Sequence, residues 1–204
     1  MKRSVCNREE EKMDTTKKSF GTREIATTAI LLAICIVSQI FKNLSIFITG
    51  PIINTCIVLA VLMVNLPCAL ILCIITPVTA YFIAASPVMN AVPGIIPLIM
   101  AGNAVLAIAV HFIMKKGVKA GGRSAGGVLS YVKALICAAL KGLFMGLTIS
   151  LWLLPTFIPA ESPLRAKLPV FQTTFSLYQF LTACIGFVYV FIIWAAIGGK
   201  NSTD

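Results

Sequence analysis

Between Glu24 and Glu161 the chain contains no aspartate or glutamate at all. The 204 residues hold only seven acids against 17 lysines and arginines, and 12% are charged, about half the usual fraction for a soluble domain. The missing acids exclude paired intramembrane carboxylates, and with them the usual equipment of proton-coupled antiport. There is no Walker A sequence, so ATP is not hydrolysed by this chain in the usual way. Neither G-x-S-x-G nor H-E-x-x-H occurs, which leaves hydrolytic chemistry without a nucleophile or a metal. Histidine occurs once, at position 111. The seven cysteines are odd in number and irregularly spaced, with no C-x-x-C. They read as small polarizable packing residues rather than as a redox or metal set.

What is present is apolar. Hydrophobic residues make up 58% of the chain, and mean hydropathy is +0.95. Charges cluster: twelve lie in Met1–Glu24 and four more in Lys115–Arg123. The formal charge of +10 is therefore no nucleic-acid footprint, and no nucleic-acid partner is expected. Basic residues flank apolar spans, where they set orientation and meet anionic headgroups of the lipid bilayer. No apolar run precedes about Ile25 and no A-x-A site follows it, so no cleaved signal peptide is expected.

A membrane helix needs about 20 apolar residues, and the chain offers six such spans. They run from about Ile25 to Ile48, Pro51 to Asn65, Pro67 to Ala85, Gly94 to Met114, Leu129 to Leu154 and Phe171 to Ile197. The second is short, as for a tilted or partly re-entrant segment. The "NLP" at 65–67 forms a tight turn, with Pro67 suited to the first turn of the next helix. The amino terminus carries seven of the basic residues, which places it in the cytoplasm. The loop "KKGVKAGGRSAGG" and Lys200 then fall inside as well, whereas Lys42, "AASPVMNAVPG" and the proline-rich "PTFIPAESPLRAKLP" fall outside. The expectation is an all-α integral membrane protein with six transmembrane helices and both termini cytoplasmic. Its parts are a basic tail (1–21), a membrane domain (22–198) and a short tail (199–204).

Ionisable residues inside a span cost roughly 2.5–3.5 kcal/mol by insertion scales, so each demands a reason. Lys133, near the cytoplasmic end of the fifth span, can snorkel. Lys141 lies two turns deeper, in "AALKGLFMG", and has no acid to pair with. It is either neutral, satisfied by amides and carbonyls as a structural lysine, or met by a ligand anion. Helical spacing puts Lys141, Met145, Thr148 and Trp152 on one face. Gln172, Ser176, Gln179 and Ala183 repeat those offsets on the sixth span. Asn103 sits mid-way along the fourth span, Asn54 on the second, and Asn90 in the outer loop. Pro77, with Thr76 and Thr79, frees a backbone carbonyl on the third. Together these residues outline a cavity opening outward. Trp152 also fits an interfacial belt, and His111 fits interfacial packing as well as a proton relay. Gly142 and Gly146 form a small-xxx-small pair that packs helices closely. On the first span Thr22, Ala26, Ala29 and Ala33 form a stripe of small residues, open to a neighbouring helix or to another protein.

Taken together, the features resemble the substrate-binding S components of energy-coupling factor (ECF) vitamin transporters. The resemblance rests on chain length, six helices, a basic amino terminus, "AILLA" on the first helix, "TGPIIN", "IIPLIMAGN" and "FSLYQFLTACIG". It covers about Thr22 to Gly198. It implies a subunit that captures a scarce micronutrient outside the cell membrane and passes it inward with a transmembrane coupling subunit and two cytoplasmic ATPase subunits. The A-x-x-x-A motif of such proteins meets the coupling protein, which carries over to Ala29 and Ala33. The resemblance implies no enzymatic activity and no cofactor. The start "MKRSVC" lacks the histidine site of metal-type members and argues against cobalt or nickel. The missing acids argue against a cationic ligand such as thiamine. Lys141 among amides favours a neutral or anionic vitamin, with riboflavin, pantothenate, niacin, a folate or a corrinoid all open. Two other classes stay open: a self-contained secondary transporter or channel, against which the missing acids and missing internal repeat count, and a scaffold subunit without a ligand.

Overall fold

The computed structural model describes residues 21–41, 46–114 and 128–198. Most of the basic amino-terminal tail, Lys42, the loop 115–127 and the tail from 199, with Lys200, lie outside the described residues. Six stretches are long and apolar enough to cross a membrane: Thr22–Ile40, Phe47–Val64, Leu66–Ala84, Ile95–Ile113, Val128–Phe157 and Arg165–Ala196. The chain is a multi-pass membrane protein made of helices, with no strand among the described residues.

The elements in order are α1 (Thr22–Ile40), α2 (Ile46–Leu59), α3 (Leu66–Ala84), a short α4 (Pro87–Ala91), α5 (Ile95–Ile113), α6 (Val128–Met145), α7 (Leu154–Phe157), α8 (Leu168–Phe175) and α9 (Leu177–Gly198). Local chemistry sets several ends. Glu24 begins α1 by accepting from the Gly21 N–H at 3.3 Å, while the Glu24 N–H donates to the Gly21 carbonyl at 2.9 Å. A carboxylate there also meets the positive end of the helix dipole. Asn65, in extended backbone, caps α3 by accepting from the Cys68 N–H at 2.9 Å, and Pro67 follows within the first turn, where its missing N–H is no loss.

Two boundaries differ from the sequence expectation. α1 ends at Ile40, and Ile46–Ile48 open α2 instead of closing the first span. Pro51 consequently lies inside α2, in its second turn, rather than at its start. The second crossing thereby reaches 18 residues, Phe47–Val64, long enough to span with no re-entrant turn. Ile46–Ile48 are as apolar as the first helix, so a hydropathy reading that ran on through Lys42 and Asn43 placed the boundary too late.

Two apolar clusters hold the bundle. One joins Cys35, Ile57, Leu72, Leu106, Cys137 and Ala183 from six helices. The other gathers Met89, Ile95, Met145, Ile149 and Phe175 at the end of the bundle that carries α4 and α8. Cys35, Cys56, Cys68, Cys73 and Cys137 are buried unbridged thiols and Cys184 is half-buried, as packing residues should be. The outer surface exposes large apolar side chains on several helices, among them Ile30, Phe82, Leu143, Leu151 and Ile192, which belong against lipid tails.

Close approach between backbones is made by glycine. A Cβ at Gly142 would lie 2.7 Å from the Phe180 Cβ, and one at Gly146 would lie 3.3 Å from the Ser176 Cβ. The small pair thus packs α6 and its extension against α8 and α9. Gly186 of α9 is also tight, on α2: its Cβ would sit 2.9 Å from Asn54 Cβ and 3.1 Å from the Pro51 carbonyl oxygen. That contact fixes the depth at which Asn54 enters the bundle.

Candidate functional site: a buried lysine at the floor of a cavity

Lys141 of α6 is 2% exposed. Its ammonium donates to Asn54 Oδ1 of α2 at 2.6 Å and to Asn103 Oδ1 of α5 at 2.7 Å. Both distances are in the short range of charge-assisted hydrogen bonds. Asn54 is oriented from behind, donating through Nδ2 to Thr182 Oγ1 at 3.4 Å, and Thr182 in turn donates to the Gln179 carbonyl at 3.2 Å. The lysine is therefore clamped by two neutral amides from two other helices, with α9 holding one of them. Among the described residues no carboxylate joins this cluster.

Above the cluster lies a cavity of about 310 Å³. Lys141, Asn54 and Asn103 line its inner end, and Gln179 lines one wall. Apolar walls come from Ile53, Pro77 and Ile99, and the mouth from Ser86, Met89, Phe171 and Phe175. Val170, also at the rim, is 63% exposed. The volume falls at the small end of ordinary ligand sites, and the lining has their usual character, mainly apolar with a few convergent polar groups.

The third crossing shapes one wall through Pro77. The carbonyls around this proline are covered by side chains: Thr76 Oγ1 donates to the Leu72 carbonyl at 2.8 Å, Thr79 Oγ1 to the Ile75 carbonyl at 3.1 Å, and Gln39 Nε2 to the Thr76 carbonyl at 2.9 Å. These bonds cover carbonyls on either side of the one, at Cys73, that the proline leaves without its helical N–H. Thr76 and Pro77 line the cavity and Thr79 does not.

Of the residues singled out from the sequence, Asn54, Asn103, Lys141 and Gln179 come together at the cavity. Five others stand outside its lining. Asn90 is exposed on α4. Thr148 donates to the Phe144 carbonyl of its own helix at 2.7 Å. Trp152 is 58% exposed and lies edge-to-face with Phe157, with centroids 6.4 Å apart. Gln172 and Ser176 bond to backbone: Gln172 Nε2 to the Ser150 carbonyl at 2.9 Å, and Ser176 Oγ to the Gln172 carbonyl at 2.6 Å.

The reason is helix winding. Beyond Met145 the fifth crossing turns into π-helix over Gly146–Leu153, where the Leu154 N–H reaches the Ile149 carbonyl, five residues back. Wider turns rotate the following side chains away from the α-helical face on which Thr148 and Trp152 were expected. The sixth crossing breaks at Ser176, with φ −115° and ψ −81°. Gln172 and Gln179 therefore belong to two different helices and do not share a face.

The sequence reading also passed over contributors. Phe171 and Phe175 line the cavity from α8, four residues apart on one side of a helix. Their spacing was legible, but the span looked continuous and gave them no special role. His111, at the other end of α5, stacks edge-on against Phe112 at 5.3 Å and lies outside the cavity. No group of three or more metal-ligating side chains occurs among the described residues. No protein-family model, curated protein or solved structure matches the chain.

Proposed function

We propose that this chain is the substrate-specific subunit of an ECF-type importer in a bacterial cytoplasmic membrane, capturing a water-soluble vitamin or related micronutrient for ATP-driven uptake. The observation that carries the reading is a buried, acid-free lysine at the floor of a ligand-sized cavity lined by helices and covered at its mouth by α4 and α8. A charge held at mid-span by neutral amides alone is expensive unless it has work to do. With the basic amino terminus inside, the α4 and α8 end faces outward, the side from which a scavenged nutrient arrives.

A second feature supports the partner side of the proposal. Ala26, Ala29 and Ala33 are exposed on the outer face of α1 and are not consumed by packing within the bundle. A stripe of small side chains open to the membrane suits a helix of the coupling subunit. The two ATPases would act through that subunit, in keeping with the missing nucleotide motif, and the chain itself would perform no catalysis.

The test is purification of the tagged chain from its own membranes in mild detergent, followed by native mass spectrometry and uptake assays. The expected result is a complex with one membrane protein and two ATPases, and uptake that stops when ATP hydrolysis is blocked. A chain that concentrates solute in proteoliposomes unaided would instead be a secondary transporter, and the proposal would fall.

A further inference from the structure

We infer that the ligand is a small monocarboxylate, seated with its carboxylate on Lys141 Nζ and Asn103 Nδ2 and its apolar or aromatic body toward Phe175 and Phe171. This rests on the reading of the cavity as a ligand site and narrows it to a chemical class.

The first step is donor geometry. A lysine has three protons to donate. Two go to the oxygens of Asn54 and Asn103, and no third acceptor is supplied by the described residues. Because each asparagine must present its oxygen to the ammonium, the positions of both amide nitrogens follow. One N–H of the Asn54 amide goes to Thr182, which turns that nitrogen toward α9. The amide nitrogen of Asn103 has no partner among the described residues, although the residue is only 3% exposed and lines the cavity. Two neighbouring donors, one of them charged, are thus left at the floor. Two oxygens on one carbon match that pair, and the negative charge replaces the counter-ion the helices lack.

The second step is elimination by charge. A cation finds no carboxylate in the lining. A phosphate or dicarboxylate needs a second positive group, and none is available among the described residues. Arg165 is already held by the Pro155 and Ile158 carbonyls, both at 3.0 Å, and Lys167 is exposed outside the cavity. A neutral ligand would leave the ammonium buried without a counter-charge.

The third step concerns the rest of the molecule. Three of the four lining hydroxyls spend their proton on a backbone carbonyl, Thr49 on Ser38, Thr76 on Leu72 and Thr174 on Val170, and the fourth, Ser86, lies at the mouth. A polyol or sugar would meet few free partners. Gln179, whose side chain makes no hydrogen bond among the described residues, can receive one planar polar group part-way along. Apart from that the walls are Ile53, Pro77, Met89 and Ile99 with the two phenylalanines. At about 30 Å³ per water, 310 Å³ corresponds to about ten waters, which suits a compact acid and cannot enclose a corrinoid.

The test uses the full chain in nanodiscs with acid and amide pairs of one shape: 3-phenylpropionate with 3-phenylpropionamide, nicotinate with nicotinamide, and hexanoate with hexanamide. Phenyl phosphate and oleate complete the set, and binding is read by calorimetry and thermal shift. At least one small acid should bind about tenfold or more tighter than its amide, the scale of one hydrogen bond to a charged group. The preference should vanish in Lys141→Met. It should also vanish in Asn103→Asp, which keeps the shape, supplies its own counter-ion and guards against loss of fold in the first variant. Equal binding of amides, tighter binding of phenyl phosphate or oleate, or failure of every small acid at millimolar concentration would overturn the inference. Native mass spectrometry separates it from the transport reading. A retained neutral ligand sinks the carboxylate and spares transport, whereas acid binding by a chain that joins no coupling subunit does the reverse.

Discussion

Ser150 and Gln172 hold each other by two reciprocal hydrogen bonds. Gln172 Nε2 donates to the Ser150 carbonyl at 2.9 Å, and Ser150 Oγ donates to the Gln172 carbonyl at 2.8 Å. The pair joins the π-helical stretch of the fifth crossing to α8, the helix that brings Phe171 and Phe175 over the cavity mouth. A carbonyl inside the π-helical stretch is thereby satisfied by a side chain from the cover itself. The cover is pinned at the place where the fifth crossing departs from regular winding.

Removing the pin should loosen the cover without unfolding the bundle. In Gln172→Leu, backbone amides of 168–175 should exchange hydrogen several-fold faster, and bound ligand should dissociate faster. Leucine keeps the backbone carbonyl that Ser150 Oγ uses and loses only the Nε2 bond. Hydrogen bonds inside membrane proteins average about 0.6 kcal/mol each by double-mutant cycles, so stability should fall by about that much. Hydrogen exchange read by mass spectrometry decides this. Unchanged exchange over α8 would show that packing alone holds it.

The lysine cluster makes a different prediction, about coupling. Asn103→Leu takes one acceptor from a buried ammonium and should destabilise the protein by about 1.5–3 kcal/mol, the range for hydrogen bonds to charged groups. Lys141→Met removes the charge itself, and apolar replacement of a buried ion is often close to neutral. The double variant should therefore be more stable than Asn103→Leu alone. Unfolding titrations of the four proteins form a double-mutant cycle, and additive effects would mean that Lys141 and Asn103 do not depend on each other.

Gly186 ties fold to site. Alanine there must displace Asn54 or the α2 backbone at Pro51 and Thr55, and overpacking of this kind costs about 1–3 kcal/mol. Since Asn54 positions Lys141, Gly186→Ala should weaken ligand binding as well as lower the melting temperature. Gly21→Ala, where an added Cβ meets nothing within 4 Å, is the control. A Gly186→Ala protein that melts lower but binds normally would separate the helix contact from the site.

These relationships show what a sequence can and cannot declare. The crossings were legible because membrane spans announce themselves by length and composition. Lys141, Asn54 and Asn103 were legible as a set because polar groups in apolar spans need partners and few were on offer. The end of α1 was not, since the residues on both sides of the connection are apolar. The stretch from Thr148 to Trp152 was misread for a physical reason: extrapolating 3.6-residue periodicity past Gly146 assumes regular winding, and π-helix has no compositional signature. Gln39 and Ser150 were missed because their partners are backbone carbonyls, which a list of side chains does not display.

The winding defect has its own consequence for binding. On a regular helix Trp152 would stand eleven residues above Lys141 on the cavity face, whereas here it is turned outward to 58% exposure while Phe175, at 7%, faces the cavity. Trp152→Ala should leave ligand affinity within about twofold of the parent, the loss of one exposed ring edge contact being small. Phe175→Ala should weaken it about tenfold or more, because a buried aromatic wall is removed. Side-by-side calorimetry of the two variants with the acid that the parent binds decides the matter. The reverse order of effects would put the fifth crossing back on regular α-helical register and Trp152 inside the site.

Under the proposed function, the exposed face of α1 allows capture to be separated from delivery. Ala29 lies on the surface of the bundle and far along the sequence from every cavity-lining position of α5, α6 and α9. A bulky side chain there would hold any approaching helix away, since close packing in membranes depends on small residues. Ala29→Trp should therefore bind ligand as the parent does, keep its melting temperature, and lose both co-purification with the coupling subunit and ATP-driven uptake. Ile30→Trp, one residue round the helix and already large, should retain more of both. Full uptake in Ala29→Trp would remove α1 from the partner surface, and a loss of ligand binding would mean that α1 shapes the cavity from outside.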